Sequence, residues 1–358
     1  MEKVKVGIIG TGGISNAHMG GYKAIPDRVE MTAVCDIDEE KVKAYAERYN
    51  VPRWYTDYNE MLAKENLDAV SVTTWNAAHK GAAIAALNAG VNVICEKPMA
   101  MNTAEAEEMK AVAEKNGKVL QIGFVRRYGA DAAMLKKFID AGTLGDLYYA
   151  KATYLRRSGC PGGWFGDKSY SGGGPLIDLG VHVMDLVRYL AGCPKPISAY
   201  GATFNNLGPD RASGAKSNLG YESKQAKSQY QFNVEDFTSA MIRFDNGLVL
   251  TVEASFNLNI KEDSSDIQLF GTKGGTKIGD TTEFFTDMNG EFINITPAGG
   301  GAQFQFTQSF NAEIAHFIDC VQYGVPCRAP AEDGVILMKM IDAIYKSAET
   351  GHEVEITY

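Results

Sequence analysis

"KVKVGIIGTGGIS", residues 3–15, sets an apolar run directly against a cluster of glycines. Val4, Val6, Ile8 and Ile9 read as a strand buried on both faces, because the apolar residues do not simply alternate with polar ones. Gly10 and Gly12 follow at once, and the next residues read as a helix from about Ile14 to Ile25, closed by Pro26. Strand, glycine turn and helix in that order leave backbone N–H groups open at the helix N-terminus, where an anion binds. The spacing is G-x-G-x-x-S, with the small Ser15 third; alone it is a weak signal, and its place after a strand strengthens it. Asp36, at the end of the next apolar run "MTAVCD", adds the carboxylate that suits the ribose hydroxyls of a dinucleotide. Ile37, Asp38, Glu39 and Glu40 follow it, with no arginine to receive a 2′-phosphate, so NAD is expected over NADP.

The pattern continues outward to residue 123. Apolar runs "DAVSVTT", "VNVICEKP" and "KVLQIGF" alternate with helical stretches "EEKVKAYAERYN", "HKGAAIAALNAG" and "TAEAEEMKAVAEKNG", the last with Thr103 as its expected N-cap. This alternation predicts an α/β domain, a doubly wound parallel sheet covered on both faces, over residues 1–123. After Phe124 the pattern changes. A helix near 131–141, a strand at 147–157 and a glycine-rich loop precede long alternating strands in "FTSAMIRFDNGLVLTVEASFNL", where Asn246-Gly247 signals a hairpin. Two helices, near 309–323 and 334–349, end the chain. Residues 124–358 therefore read as a C-terminal α+β domain with a large, mostly antiparallel open sheet. Residues 204–232 are polar and aperiodic, and are expected to form an arm or lid. A sheet with one bare face predicts a homo-oligomer.

Composition narrows the function classes. Among 358 residues, 35 Lys and Arg stand against 44 Asp and Glu, a formal charge of −9. An acidic chain without a basic block is a poor match for nucleic acid or an anionic membrane, whose binding rests on phosphate neutralisation. The apolar stretch near the N-terminus is too short and glycine-broken for a signal peptide, and no run reaches the roughly 18 apolar residues of a membrane span. The six cysteines form no C-x-x-C pair, so reduced thiols and a cytoplasmic location are expected.

A second stretch carries chemistry. "GGGPLIDLGVHVMDL", residues 172–186, places Asp178, His182 and Asp185 at spacings of four and three in an otherwise apolar run. On a helix these share one stripe, and a stripe of titratable groups on a buried helix points to a substrate cleft. No cysteine or histidine cluster completes a ligand set with these three, so no metal is expected, and Asp185 reads as structural.

Together with "TTWNAAH" (73–79), "CEKPMA" (95–100) and "GFVRRY" (123–128), these segments resemble the Gfo/Idh/MocA family of glucose–fructose oxidoreductase, inositol dehydrogenase and relatives. The resemblance spans nearly the whole chain and implies a Rossmann domain followed by an open-sheet domain. It makes Lys97 the catalytic lysine, with Asp178 and His182 its partners. It implies that Gly10, Thr11, Gly12, Gly13, Ile14, Asp36, Ile37, Thr74, Trp75, Asn76, His79, Glu96 and Lys97 line the cofactor. Trp75 stands where the family commonly has proline, and "RRSGCPGGWFGDKSYSGGGP" is longer than in the inositol dehydrogenases.

Chemistry gives the same roles. Oxidising a secondary alcohol with NAD needs a base for the hydroxyl proton, and histidine titrates near neutrality. A lysine at the C-terminal end of a parallel strand can stabilise the developing alkoxide, and a carboxylate four residues before the histidine can support the imidazolium. Trp164 with Phe165, Arg127, Tyr128 and Arg157 are candidate substrate contacts beside Asp178 and His182. The expected activity is NAD-dependent oxidation of a ring hydroxyl, C3 of a glycoside over free inositol. The alternatives are glycoside cleavage by transient C3 oxidation and elimination, inositol dehydrogenation, and a non-catalytic NAD-binding regulator.

Overall fold

A computed structural model describes residues 2–208, 231–279, 281–298 and 301–358. Most of the aperiodic segment expected to be an arm or lid, residues 209–230, lies outside the described residues.

The first sheet is built from β1 (Val4–Ile9), β2 (Val29–Cys35), β3 (Arg53–Tyr55), β4 (Ala69–Val72), β5 (Asn92–Glu96) and β6 (Leu120–Gly123). Between them run α1 (Ser15–Lys23), α2 (Glu39–Tyr49), α3 (Tyr58–Lys64), α4 (Asn76–Asn88) and α5 (Thr103–Asn116). Every pairing is parallel, in the order β3-β2-β1-β4-β5-β6. The order reverses between β1 and β4, where doubly wound sheets open a ligand crevice. The expected strands are present, and β4 and β5 are buried throughout or nearly so. The expected N-cap of α5 shifts by one residue: Asn102, not Thr103, accepts the Glu105 N–H. Short β3, "RWY", escapes a hydrophobic reading because it is largely exposed.

The second sheet has nine strands: β7 (Leu147–Leu155), β8 (Pro196–Phe204), β9 (Phe237–Phe244), β10 (Val249–Ser255), β11 (Ser264–Gly271), β12 (Gly274–Ile278), β13 (Thr282–Met288), β14 (Glu291–Ile295) and β15 (Val354–Glu355). Only the β7–β10 pairing is parallel. Asn246-Gly247 makes the β9–β10 hairpin as expected, with Gly247 at φ 86°. Helices α6 (Ala130–Asp140), α7 (Lys168–Ser171) and α8 (Val181–Leu190) precede most of these strands. The inner face is apolar, with Ala150, Ala152, Ile242, Leu250, Val252 and Leu269 buried. The outer face is mixed: Tyr200 opposes Met241, and the row continues through Thr251, Lys151, Gln268 and Lys277.

The chain divides into two compact units, and neither is contiguous. One comprises Met1–Tyr128 with Phe306–Met338; the other comprises Gly129–Gln305 with Lys339–Tyr358. This differs from the expected boundary between residues 123 and 124. Of the closing helices α9 (Phe306–Tyr323) and α10 (Ala331–Thr350), α9 belongs with the parallel sheet. Its Ile314, Phe317 and Ile318 enter the same core as Val6, Ile8, Met19 and Tyr22. The segment after α9 borders the last strand, where Ile122 N–H donates to the Ala329 carbonyl.

Candidate functional site

In the first unit the glycine turn lies at the reversal of strand order. Gly10 has φ 91°, and a Cβ there would lie 2.8 Å from the Thr73 carbonyl and the Thr74 nitrogen, so only glycine fits. The turn is tied to its neighbours: Gly10 N–H donates to Cys35 O at 2.8 Å, and Thr73 Oγ1 donates to Gly10 O at 2.6 Å. A Cβ on Gly12 would meet only Thr73 O, at 4.0 Å, so that side is open. Helix α1 begins there with no side-chain cap and no acid in its first turn, leaving its positive end uncompensated.

Asp36 closes β2 beside the turn. Its Oδ2 accepts Thr11 N–H at 2.7 Å and Thr11 Oγ1–H at 2.9 Å, and pairs with Lys41 Nζ at 2.9 Å. Burial opposes its ionisation, but Lys41 and the N–H groups of Thr11 and Asp38 outweigh burial and hold the carboxyl below its ordinary range. The sequence reading missed Lys41, which α2 brings back one turn onto Asp36. Ile37 beside it is 68% exposed, an apolar platform at the rim. A glycine cradle, an uncapped helix N-terminus and a strand-end carboxylate fit the pyrophosphate and ribose of NAD.

The ends of β4 and β5 are stitched together. His79, from α4, is buried with Nδ1 2.8 Å from Pro98 O and Nε2 3.1 Å from Thr74 O. Both ring nitrogens face backbone carbonyls, so His79 fixes the turns that carry Thr74, Trp75 and Lys97. Burial pushes its pKa down against those carbonyls. Asn76 is likewise buried at the start of α4, while Thr74 and Trp75 are half-buried.

Glu96 is anchored from beneath: Oε1 lies 2.8 Å from His18 Nε2, and Oε2 accepts Lys97 N–H at 3.2 Å. His18 Nδ1 contacts Ser71 Oγ at 3.0 Å, and Ser71 also meets Tyr22 OH at 2.7 Å. Nothing in the motifs pointed to His18, which sits one turn into α1. From Val93 to Ala100 only Lys97 is not buried. The Lys97–Pro98 bond is cis.

Two candidate substrate contacts are corrected in this unit. Arg127 is 1% exposed, with Nη1 2.7 Å from Asp333 and 2.6 Å from the Arg328 carbonyl. Tyr128 is also buried, its ring tilted against His316 and under the Arg328 guanidinium. Residues 125–128 form a 3₁₀ turn, so neighbouring side chains point in different directions. Between Gln121 and Gly129 only Arg126 is not buried.

In the second unit the stretch around Asp178 and His182 is helical as expected, but it opens as a π-helix, Leu176–Gly180, that runs into α8. From Gly173 to Arg188 every residue is buried except Asp178 and His182. Asp185 is 2% exposed, in keeping with a structural part.

The π-helix is held by Glu235, a residue the sequence reading did not single out. Its carboxylate accepts Gly174 N–H at 3.0 Å, Leu176 N–H at 3.2 Å and Tyr345 O–H at 2.9 Å. Close approach explains the glycine run: a Cβ on Gly174 would lie 2.2 Å from the Glu235 carbonyl oxygen. Burial raises the Glu235 pKa despite these donors. Trp164 and Phe165 stack at 3.9 Å in a 3₁₀ turn, half-buried. Arg157 is exposed and tied to the segment before β11, its N–H donating to Asp263 and its guanidinium to the Lys261 carbonyl.

A model of an oxidoreductase family with an NAD-binding Rossmann fold matches residues 4–124, and a model of the GFO/IDH/MocA C-terminal domain matches residues 132–277. The chain is 35% identical over 355 residues to D-glucoside 3-dehydrogenase of Escherichia coli (strain K12), covering 99% of this chain and 97% of that one. It is 26% identical over 361 residues to inositol 2-dehydrogenase of Salmonella typhimurium (strain LT2), covering 98% and 95%. Among solved structures, levoglucosan dehydrogenase in complex with NADH and L-sorbose aligns over 100% of both chains with a TM-score of 0.86 at 25% identity.

Proposed function

The chain belongs to the GFO/IDH/MocA family of NAD-binding oxidoreductases, and from that premise we propose that it oxidises the C3 hydroxyl of a glucoside. The carrying observation is the exposure pattern of residues 173–188, where an otherwise buried helix opens only at Asp178 and His182. The likeness to D-glucoside 3-dehydrogenase over almost the full chain supports a glucoside as the substrate.

In this reading His182 takes the hydroxyl proton as the C–H bond breaks, and Asp178, four residues earlier, steadies the imidazolium. Lys97 stabilises the developing alkoxide by its charge. NAD, held by the glycine turn and Asp36, supplies the hydride acceptor. Arg126, the accessible arginine of its turn, binds substrate hydroxyls in place of Arg127, and Trp164 offers the pyranose an apolar wall. The enzyme works in the cytoplasm, where NAD is abundant and cysteines stay reduced. It is a homo-oligomer through the outer face of the nine-stranded sheet, which carries the Tyr149–Phe270 stack on β7 and β11 and, across β10, the Tyr200–Met241 pair on β8 and β9. Light scattering at a multiple of 38.8 kDa supports that assembly, and a monomer mass removes it.

The test is a panel of alkyl and aryl glucosides, levoglucosan and inositols with NAD, read as NADH absorbance and product mass. The expected result is NADH formation with loss of two hydrogens from the glucosides. Reaction with inositols alone overturns the substrate, and aglycone release without NADH makes the enzyme a glycoside-cleaving one.

A further inference from the structure

The cysteine spacings predict no cluster, yet the fold builds one. In the first unit His316 and Cys320, one turn apart on α9, meet Cys327 from the segment after it, with Nε2 and both Sγ atoms within 4.8 Å of one another. None of the three belongs to the residues assigned to the reaction. We propose that Cys320 and Cys327 are a redox-active dithiol, with Cys320 the nucleophile toward a hydroperoxide and Cys327 the thiol that closes the disulfide.

His316 lies beside Cys320: its Nε2 accepts Arg328 N–H at 2.9 Å, which leaves the ring proton on Nδ1, and the same nitrogen is 3.5 Å from Cys320 Sγ. The same amide bond argues against a metal here, since the lone pair an ion would need is already taken. Tyr128 packs against the imidazole and holds its plane.

The two thiols differ in acidity. A hydrogen bond from Cys327, then the His316 contact, hold the Cys320 thiol below its ordinary range against the opposing effects of burial and Asp319. The same bond and burial push Cys327 up, although Arg127 opposes them, so it stays a thiol and donor. Gln121 Oε1 lies 3.5 Å away, a second acceptor within reach of the same thiol proton. Thiolates react and thiols do not, so this pair is primed in the order proposed. The contrast within the chain is clear: burial raises Cys35 to about 12, Cys160 to about 11, and Cys95 well above its ordinary value. Cys320 is 3% exposed, so a small hydroperoxide is the oxidant proposed over a bulky disulfide.

The chemistry balances. The Cys320 thiolate attacks the terminal oxygen of a hydroperoxide, the O–O bond breaks, and sulfenic acid and hydroxide (or an alkoxide) result. Cys327 sulfur then attacks the sulfenic sulfur, an S–S bond forms, and the thiol proton leaves with the hydroxyl as water. One disulfide and two electrons given to the peroxide are the sum.

The experiment uses the full chain with NAD bound, reduced, exposed to one equivalent of hydrogen peroxide, alkylated and mapped by mass spectrometry. A single Cys320–Cys327 disulfide with the other four cysteines alkylated is expected. Cys327→Ser should accumulate sulfenic acid on Cys320, captured by dimedone, and Cys320→Ser should abolish both products. His316→Asn should slow Cys320 oxidation at pH 6 about tenfold, by reducing the thiolate fraction. A urea-unfolding midpoint of reduced Cys327→Ser equal to that of the wild type shows that the variant is folded. Six alkylated cysteines after peroxide overturn the proposal. So does dimedone on Cys327 first, or a stoichiometric bound metal that shields both thiols. Because the readout is thiol chemistry, it stands or falls apart from the assigned substrate.

Discussion

At the scale of single residues, the proposed chemistry falls on the less buried positions. Lys97, Asp178 and His182 each interrupt a buried run; Asp178 and His182 were legible as polar groups in apolar sequence, and Lys97 through the family resemblance. His182→Asn should lower kcat by about 10²- to 10⁴-fold with little change in NAD affinity, measured by steady-state kinetics and cofactor titration. If Lys97→Met instead abolishes the pH dependence while His182→Asn keeps it, the roles are reversed. Arg127 was misread because adjacent arginines look equivalent in a sequence, whereas a 3₁₀ turn sends one inward to Asp333. Arg126→Ala should therefore raise KM for the glucoside, while Arg127→Met should chiefly lower the unfolding midpoint. In the proposed function Asp36 sets cofactor choice. It now neutralises Lys41, so Asp36→Ala should leave that ammonium for a 2′-phosphate and improve kcat/KM for NADP relative to NAD by about 10- to 100-fold. An unchanged ratio would remove Asp36 from that role.

At the scale of elements, the helix bearing Asp178 and His182 was legible but its opening was not. Hydrophobic periodicity carries no mark of a π turn, and its anchor, Glu235, is 61 residues from Gly174. Glu235→Ala strands three donors, two of them backbone N–H groups, and should cost at least about 2 kcal/mol in urea unfolding, with a fall in kcat. Glu235→Gln keeps an acceptor and should cost less. His79 gives α4 a pH signature. Burial depresses its folded pKa, so as pH falls through the ordinary histidine range the unfolded chain takes up a proton that the folded chain refuses. Stability should therefore fall from pH 7 to pH 5, with this residue contributing at most about 1.4 kcal/mol per pH unit. His79→Gln should flatten that slope in urea midpoints taken across the range. An equal slope in both proteins would assign the loss to other groups.

At the scale of the whole chain, strand–helix alternation announced the parallel sheet, and the β9–β10 hairpin announced the change of architecture. What the sequence could not announce was the return of α9 to the first unit. An amphipathic helix records that it packs, but not against what, and its partner α1 lies nearly three hundred residues earlier. The fit is close: a Cβ on Gly21 would lie 2.7 Å from Ile314. Phe317, fully buried in the core with Ile8 and Met19, is then as much a part of the cofactor domain as β1 itself. Phe317→Ala should destabilise the protein by about 3–5 kcal/mol, because the cavity opens inside that core. The location of the loss is the sharper measurement. Native-state hydrogen exchange should show faster exchange at the amides of β1 and β4, although neither strand is near Phe317 in sequence, and NAD should restore part of their protection. If exchange rises only within α9 while β1 and β4 keep their protection, the helix is an appendage to the sheet and not a structural member of it.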